Sequence, residues 1–239
     1  MSANHLAVDD LIRLSGGEFL MGQADGRDEE QPVHRVTVAG FGICRYPVTN
    51  AHWEEFRKAT GREKLAYVHE TAPAASVNWY DALAFCKWLS GLWSIPVRLP
   101  SEAEWEFAAR GGVEQQSYPW GPEPRRYEAE RWRDGPEPVG RDEANGFGLF
   151  DLCQNVHEWC SDWYDPGYYA VSPAENPGGP EHGKRRSSRG GAWRHHIKCS
   201  RCAARSSIPP EFRYADYGFR VAADGLERVG GAGTVLINL

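Results

Sequence analysis

The first part of the chain alternates hydrophobic and polar positions in a way that predicts short strands. The stretch SGGEFLMG, residues 15–22, reads as one strand bounded by glycines. Residues 34–50, HRVTVAGFGICRYPVTN, carry apolar side chains at alternate positions on either side of Gly40. We therefore expect two further strands that pair with each other across a bend at this glycine.

Three segments that follow show the spacing of amphipathic helices, because their apolar residues recur at intervals of three or four positions. Each begins at a polar residue whose side chain is suited to cap the first turn, and each ends at glycine. The first predicted helix starts after Thr49 or Asn50 and ends at Gly61. The second starts after Asn78 and ends at Gly91. The third starts after Ser101, which forms a capping box with Glu104, and ends at Gly111–Gly112.

From residue 113 onward, Pro, Gly, Trp and Tyr dominate and helical periodicity disappears, so the second half is predicted to be loop-rich with short strands. No linker or repeat divides the chain. We therefore expect one domain over residues 15–223, with an N-terminal segment, 1–14, and a C-terminal tail, 224–239. Within the tail, Thr234–Leu239 reads as a further strand.

Charge and cysteine content narrow the functional class. The 239 residues carry a formal net charge of −6, which argues against a nucleic-acid partner. No apolar run is long enough for a signal peptide or a membrane span, so we expect a cytoplasmic protein without a membrane partner. The six cysteines are then expected to be reduced thiols. For Cys153 and Cys160, a disulfide is the alternative to two buried thiols.

Eight short segments form a pattern of their own along the chain. They are GGEFLMG (16–22), YPVTNAHWEEF (46–56), ASVNWYDALAFCKWLS (75–90), RLPSEAEWEFAARGG (98–112), YPWG (118–121), NGFGLFDLCQNVHEWCSDWY (145–164), RGGAW (189–193) and YGFRVA (217–222). In this order they resemble the formylglycine-generating enzyme family, also called the sulfatase-modifying-factor family. The resemblance implies a single α+β domain of the C-type-lectin-like kind with much irregular backbone.

The resemblance implies two alternative functions. The founding enzymes oxidise a cysteine of a sulfatase peptide to formylglycine with molecular oxygen and a copper ion held by two cysteines. We therefore expect a metal-dependent oxidase that acts on a thiol-containing peptide or small molecule. Other members use the fold to display a ligand-binding surface, so the alternative is a non-catalytic, calcium-stabilised module that binds a peptide, protein or small molecule.

The stretch RGGAWRHHIKCSRCAARSS departs from the copper pattern of the founding enzymes, G-G-S-Y-x-C-H-x-S-Y-C. Counted from Gly190–Gly191, the family's serine falls on Ala192 and its first copper cysteine on His195. The second copper cysteine falls on Ser200, with Cys199 one position away. The two-thiolate copper site is therefore not matched, and formylglycine synthesis is expected to be absent.

The same stretch still holds side chains that ligate transition metals. Imidazole and thiolate suit copper or zinc, so His195, His196 and Cys199, with Cys202, are candidate ligands of copper or another transition metal. If the site is catalytic, we expect Cys199 and His195 to be the catalytic residues. The alternatives are a Cys-x-x-Cys redox pair and the plain wall of a binding surface, with Cys202 as a packing residue.

The segment DLCQNVHEW, residues 151–159, resembles a family loop that binds calcium. By this resemblance Asp151 and Glu158 supply carboxylates, while Gln154 and Val156 supply main-chain carbonyls. Calcium prefers six to eight oxygen ligands in flexible geometry, and its expected role is to stabilise the fold. The alternative is that the two acids bond only to backbone amides of the loop.

Overall fold

The structure, a computed structural model, describes residues 6–125 and 134–225 and builds this part of the chain from three helices and ten short strands. The predicted strand Thr234–Leu239 and most of the predicted tail lie outside the described residues. The helices are α1 (Asn50–Thr60), α2 (Trp79–Trp93) and α3 (Glu102–Arg110), and the strands are β1 (Leu11–Leu14), β2 (Gly17–Met21), β3 (His34–Val38), β4 (Phe41–Cys44), β5 (Val97–Arg98), β6 (His157–Trp163), β7 (Arg186–Arg189), β8 (Arg205–Ile208), β9 (Tyr217–Gly218) and β10 (Ala222–Ala223).

The three predicted helices are confirmed together with the residues that start them. The side chains of Thr49, Asn78 and Ser101 each accept a hydrogen bond from the amide three residues further on, which satisfies a donor that the helix itself cannot pair. Helix α2 continues two residues beyond the predicted end at Gly91 and stops at Ser94, which adopts a left-handed conformation. No helix in the described ranges is long and apolar enough to cross a membrane.

The strands form two four-stranded sheets and a separate hairpin. The first sheet has the order β1-β4-β10-β5, the second β8-β7-β6-β9, and the hairpin joins β2 to β3. The prediction that β3 pairs with β4 is wrong, because β4 is buried at all four positions and takes β1 and β10 as its neighbours. The domain also starts before residue 15, since β1 is part of this sheet.

Two apolar clusters lie on opposite faces of the first sheet. Cys44 belongs to one cluster and its neighbour Ile43 to the other, as expected when successive side chains point to opposite faces of a strand. On the face covered by α1 and α2, the rings of Trp53, Phe85 and Phe219 pack with centroids 5.3–6.5 Å apart. The other cluster lies between α3, the hairpin and the loops that precede β6.

A network of buried ion pairs joins α3 to the second sheet. The Arg189 guanidinium is fully buried and contacts the carboxylates of Glu102 and Glu106 on α3 and the carbonyl of Cys202. Arg205 donates two further hydrogen bonds to Glu102, at 2.8 and 2.9 Å. Burial alone would raise the pKa of Glu102, but the two arginines outweigh burial and lower it to about 2.

A second buried pair closes the core beside β6. Both carboxylate oxygens of Glu158 accept hydrogen bonds from Arg220 at 2.7 Å, and Glu158 Oε2 accepts another from the Trp105 indole. Neither charged side chain is exposed. Arg220 also donates to the carbonyl of Phe150, so it links β6 to the loop before it.

We expect Arg220→Ala to destabilise the protein by about 3–5 kcal/mol, because it leaves the buried Glu158 carboxylate without its counter-charge. Chemical denaturation measures this loss. The matched control is Arg35→Ala, since Arg35 pairs with Glu18 at an exposed site and should contribute at most about 1 kcal/mol. Equal and small losses in the two variants would contradict this account of the core.

Candidate functional site

Two glycines determine the backbone path of the segment that follows them, which contains the predicted transition-metal ligands. Gly190 and Gly191 have φ angles of +90° and +64°, and a Cβ atom on either would lie 2.6 Å or less from neighbouring atoms. The chain then turns, with the Trp193 amide donating to the Asn155 carbonyl at 3.1 Å and the His195 amide donating to the Ala192 carbonyl at 2.9 Å. This turn carries His195 to the first residue of β6.

His195 meets His157 and Asp216 there. The distance from His157 Nε2 to His195 Nδ1 is 2.9 Å, and His195 Nε2 lies 3.4 Å from Asp216 Oδ2. One ligand atom from each of the three side chains lies within 4.8 Å of the other two, which makes them the one such group of metal-ligating side chains in residues 6–125 and 134–225. We call these three residues the histidine–aspartate cluster. Arg194 donates to both oxygens of Asp216, at 2.9 and 2.7 Å.

Burial sets the charge state of His157. His157 is 2% exposed and stacks on the ring of Tyr217. Burial, with smaller contributions from His195 and Arg194, lowers the pKa of His157 to about 3, so its imidazole is neutral at neutral pH. Its Nδ1 is buried without a hydrogen-bond partner. The imidazole of His195 is partly exposed, so one side of the cluster opens to solvent.

The remaining predicted ligands of this stretch lie outside the cluster. Cys199 is partly exposed, and its sulfur accepts a hydrogen bond from Arg27 at 3.7 Å. His196 accepts a hydrogen bond from the Lys198 amide at 3.2 Å at the start of a short 3-10 turn. Cys202 is fully buried, as a packing residue would be. The structure therefore brings one of the predicted transition-metal ligands, His195, into a group of potential ligands.

All six cysteines are free thiols in the structure. Cys153 and Cys160 do not pair, which agrees with the interpretation of two buried thiols. Burial raises the pKa of both thiols well above the ordinary value, so neither is a reactive thiolate at neutral pH.

A cleft opens at Trp193, two residues before His195 in the chain. Its volume is about 260 Å³. Trp193 lies in the wall of this cleft, whereas Trp159 is fully buried. The lining residues are Asn50, Ala66, Tyr67, Val68, Ala72, Pro73, Ala75, Ser76, Asp134, Gly135, Pro136, Trp193 and Ala215.

Exposed apolar side chains form the rim on one side of the cleft. Val68, in its wall, is 68% exposed. Tyr214, whose carbonyl accepts a hydrogen bond from the Ser76 amide at 3.2 Å, is 41% exposed, and its ring lies 6.1 Å from that of Phe212. An apolar rim around a concave site is typical of an interaction surface.

Of the predicted calcium ligands, Glu158 lies on β6, and Asp151, Gln154 and Val156 lie on the loop that leads into this strand. Asp151 accepts a hydrogen bond from the Gly140 amide at 2.7 Å, and burial raises its pKa to about 6. Glu158 is held by Arg220 and by Trp105, which leaves at most one lone pair of Oε1 for an ion. The fit to calcium is therefore partial, because Glu158 would have to be shared with a buried guanidinium.

Sequence reasoning missed His157 and Asp216 as site residues. His157 lies inside the predicted calcium segment, between Val156 and Glu158, and Asp216 directly precedes the segment YGFRVA. Their nearness comes from the parallel pairing of β6 with β9, in which the His157 amide donates to the Asp216 carbonyl at 2.8 Å. Motif spacing along the sequence does not reveal this contact, because the two residues are far apart in the chain.

Comparison with known proteins gives consistent matches along the chain. The protein-family model described as sulfatase-modifying factor enzyme 1-like domain matches residues 1–225 of this chain. A formylglycine-generating enzyme of Streptomyces coelicolor is 35% identical, over 89% of this chain and 88% of that enzyme. The serine/threonine-protein kinase pkn1 of Chlamydia caviae is 34% identical over 89% of this chain, which spans 38% of the length of that kinase.

Among solved structures, PvdO from Pseudomonas aeruginosa superimposes with a TM-score of 0.79 at 28% sequence identity. The superposition covers 89% of this chain and 93% of PvdO. It confirms the fold class predicted from the sequence.

A calcium ion at Asp151 stays a prediction, and its test is thermal unfolding. We expect added calcium to raise the melting temperature of chelator-treated protein, because a ligand that binds only the folded state stabilises it. Asp151→Ala should abolish this rise, while Glu143→Ala, a change of an exposed acid in the preceding segment, should preserve it. Identical melting curves with calcium and with chelator would contradict the prediction.

Proposed function

The chain belongs to the sulfatase-modifying factor family, and from this premise we propose that it is a binding module that holds a segment of polypeptide in the cleft at Trp193. The motif resemblance that led to this family is confirmed by the family match over residues 1–225 and by the formylglycine-generating enzymes among its relatives. Formylglycine is a residue of a polypeptide, so enzymes of that name act on peptide chains.

The observation that carries the proposal is the cleft with its apolar rim. A volume of about 260 Å³ lies just below the range of pockets that enclose a whole small ligand, so it suits individual side chains of a peptide. Trp193, Tyr67 and Val68 give its wall an aromatic and aliphatic surface. The exposed rings of Tyr214 and Phe212 extend this surface beyond the cleft.

The cysteines argue against oxidation by a two-thiolate copper site. Each of the six cysteines lies in the described residues, and five are buried. Cys199 is the one thiol that reaches the surface, and neither it nor any other cysteine lines the cleft. Copper(I) prefers soft thiolate ligands, and the positions that would supply them hold His195 and Ser200.

A metal-dependent oxidase acting on a thiol-containing peptide or small molecule is the second candidate. One observation favours it, namely the histidine–aspartate cluster, whose Asp216 directly follows the cleft residue Ala215 and whose His195 lies two residues after the cleft residue Trp193. A ligand held in the cleft would thus lie beside side chains that can bind a metal.

Selection from a displayed random peptide library on immobilised, chelator-treated protein tests the proposed function. We expect particular peptides to be enriched, and their affinity to fall at least about tenfold in Trp193→Ala, as for a central aromatic contact. Leu92→Ala is the matched control, because Leu92 is also a large exposed apolar residue but lies on α2.

Melting temperatures of both variants establish that they are folded. Absence of enriched peptides, or equal affinity of Trp193→Ala and wild type, would overturn the proposal. Aldehyde formed on a Cys-x-Pro-x-Arg peptide with copper and oxygen, above a control without protein, would also overturn it in favour of formylglycine synthesis.

A further inference from the structure

The geometry points to a binding site for a divalent transition-metal ion formed by His157, His195 and Asp216. This inference goes beyond the proposed function, because a peptide can bind in the cleft whether or not the cluster holds a metal. It also differs from the site predicted in the stretch 189–207, since two of its three ligands lie outside that stretch.

The donor set favours iron, zinc or copper over calcium or magnesium. Two imidazoles and one carboxylate are the ligands of non-haem iron(II) sites with open positions, and imidazole also suits zinc and copper. Hard cations such as calcium prefer oxygen ligands alone. The cluster contains no thiolate, so it lacks the soft ligands that copper(I) selects.

The distances are close to those of a metal site. Metal–nitrogen bonds of about 2.0–2.1 Å place two ligand atoms roughly 3 Å apart, and His157 Nε2 lies 2.9 Å from His195 Nδ1. Asp216 Oδ2 lies 3.4 Å from the other nitrogen of His195. His195 contacts His157 through Nδ1 and Asp216 through Nε2, so its partly exposed ring has to reorient until one of these nitrogens shares an ion with the other two ligands.

The supporting contacts hold the ligands in place. The backbone hydrogen bond from His157 to Asp216 ties two of the ligands together across β6 and β9. Arg194 donates to both oxygens of Asp216, and a carboxylate has about four lone-pair sites, so Asp216 can bind an ion while it keeps this partner. Such outer contacts orient metal ligands in known sites.

Two of the three proposed ligands are buried, so an ion held by them would be shielded from water on the side of β6 and β9. His157 is 2% exposed, and Nε2, the nitrogen that faces the cluster, contacts Nδ1 of His195. Asp216 is 1% exposed and contacts the imidazole of His195 as well as Arg194. A metal ion would replace the contact between the two imidazole rings with two coordinate bonds, and its remaining positions would face solvent on the His195 side.

Titration of chelator-treated, tag-free protein with Co²⁺ tests the site, since bound Co²⁺ absorbs visible light according to its ligands. We expect one ion per chain, displaced by Zn²⁺ in competition. His195→Ala and Asp216→Asn should each weaken Co²⁺ binding at least about tenfold. In known sites, loss of a residue that only hydrogen-bonds to a metal ligand already lowers metal affinity by this factor, and these two residues would be ligands themselves.

His196→Ala and Cys199→Ser are the matched controls and should bind Co²⁺ like wild type. Melting temperatures measured without metal show whether each variant is folded. Absence of a Co²⁺ spectrum in the wild type, or unchanged affinity in His195→Ala, would overturn the proposal, and loss of the spectrum in Cys199→Ser would assign the metal to the Cys199 side instead. The Co²⁺ titration contains no peptide, and the peptide selection is done on chelator-treated protein. Failure of the metal site therefore does not imply failure of the proposed peptide binding, and the reverse also holds.

Discussion

The burial of the Arg189 guanidinium between two carboxylates of α3 is the constraint on which the rest of the structure depends. A charge removed from water is destabilising by several kcal/mol unless its partners are well placed. Here Arg189 has Glu102, Glu106 and the Cys202 carbonyl as partners. Removing any partner would leave a charge in the core, so α3, β7 and the chain before β8 must assemble in one arrangement.

This arrangement positions the candidate site. Arg189 ends β7 and Arg205 begins β8, and both bind Glu102. The segment between them, residues 190–204, forms the turn that carries Trp193 to the cleft and His195 to the histidine–aspartate cluster. The site is thus built on a loop held at both ends by buried ion pairs, which is how a rigid fold commonly supports functional loops.

Local features of the fold could be predicted from the sequence, because their causes are local. Caps at Thr49, Asn78 and Ser101 depend on residues within one turn, and all three helices were found where the caps place them. The pairing of β3 with β4 was predicted from their adjacency and is wrong, since the burial of β4 depends on β10 at the far end of the domain.

The candidate site was predictable only in part, for the same reason. His195 stood out because it occupies the position of a family copper ligand, whereas His157 and Asp216 join it through the pairing of β6 with β9. Cys199 is near His195 in sequence, but the 3-10 turn Ile197–Ser200 directs its thiol to Arg27. Adjacency along the chain therefore pointed to Cys199, whereas strand pairing brings His157 and Asp216 next to His195.

Amide hydrogen exchange in Arg189→Lys measures the central claim most directly. Lysine keeps the charge but loses the planar fork that bonds both carboxylates. The account predicts faster exchange in residues 190–204 and in α3, with unchanged exchange in α1 on the other face of the first sheet, and no change anywhere in the exposed control Arg35→Lys. Exchange of residues 190–204 at the wild-type rate would contradict the claim that the buried ion pairs hold the site.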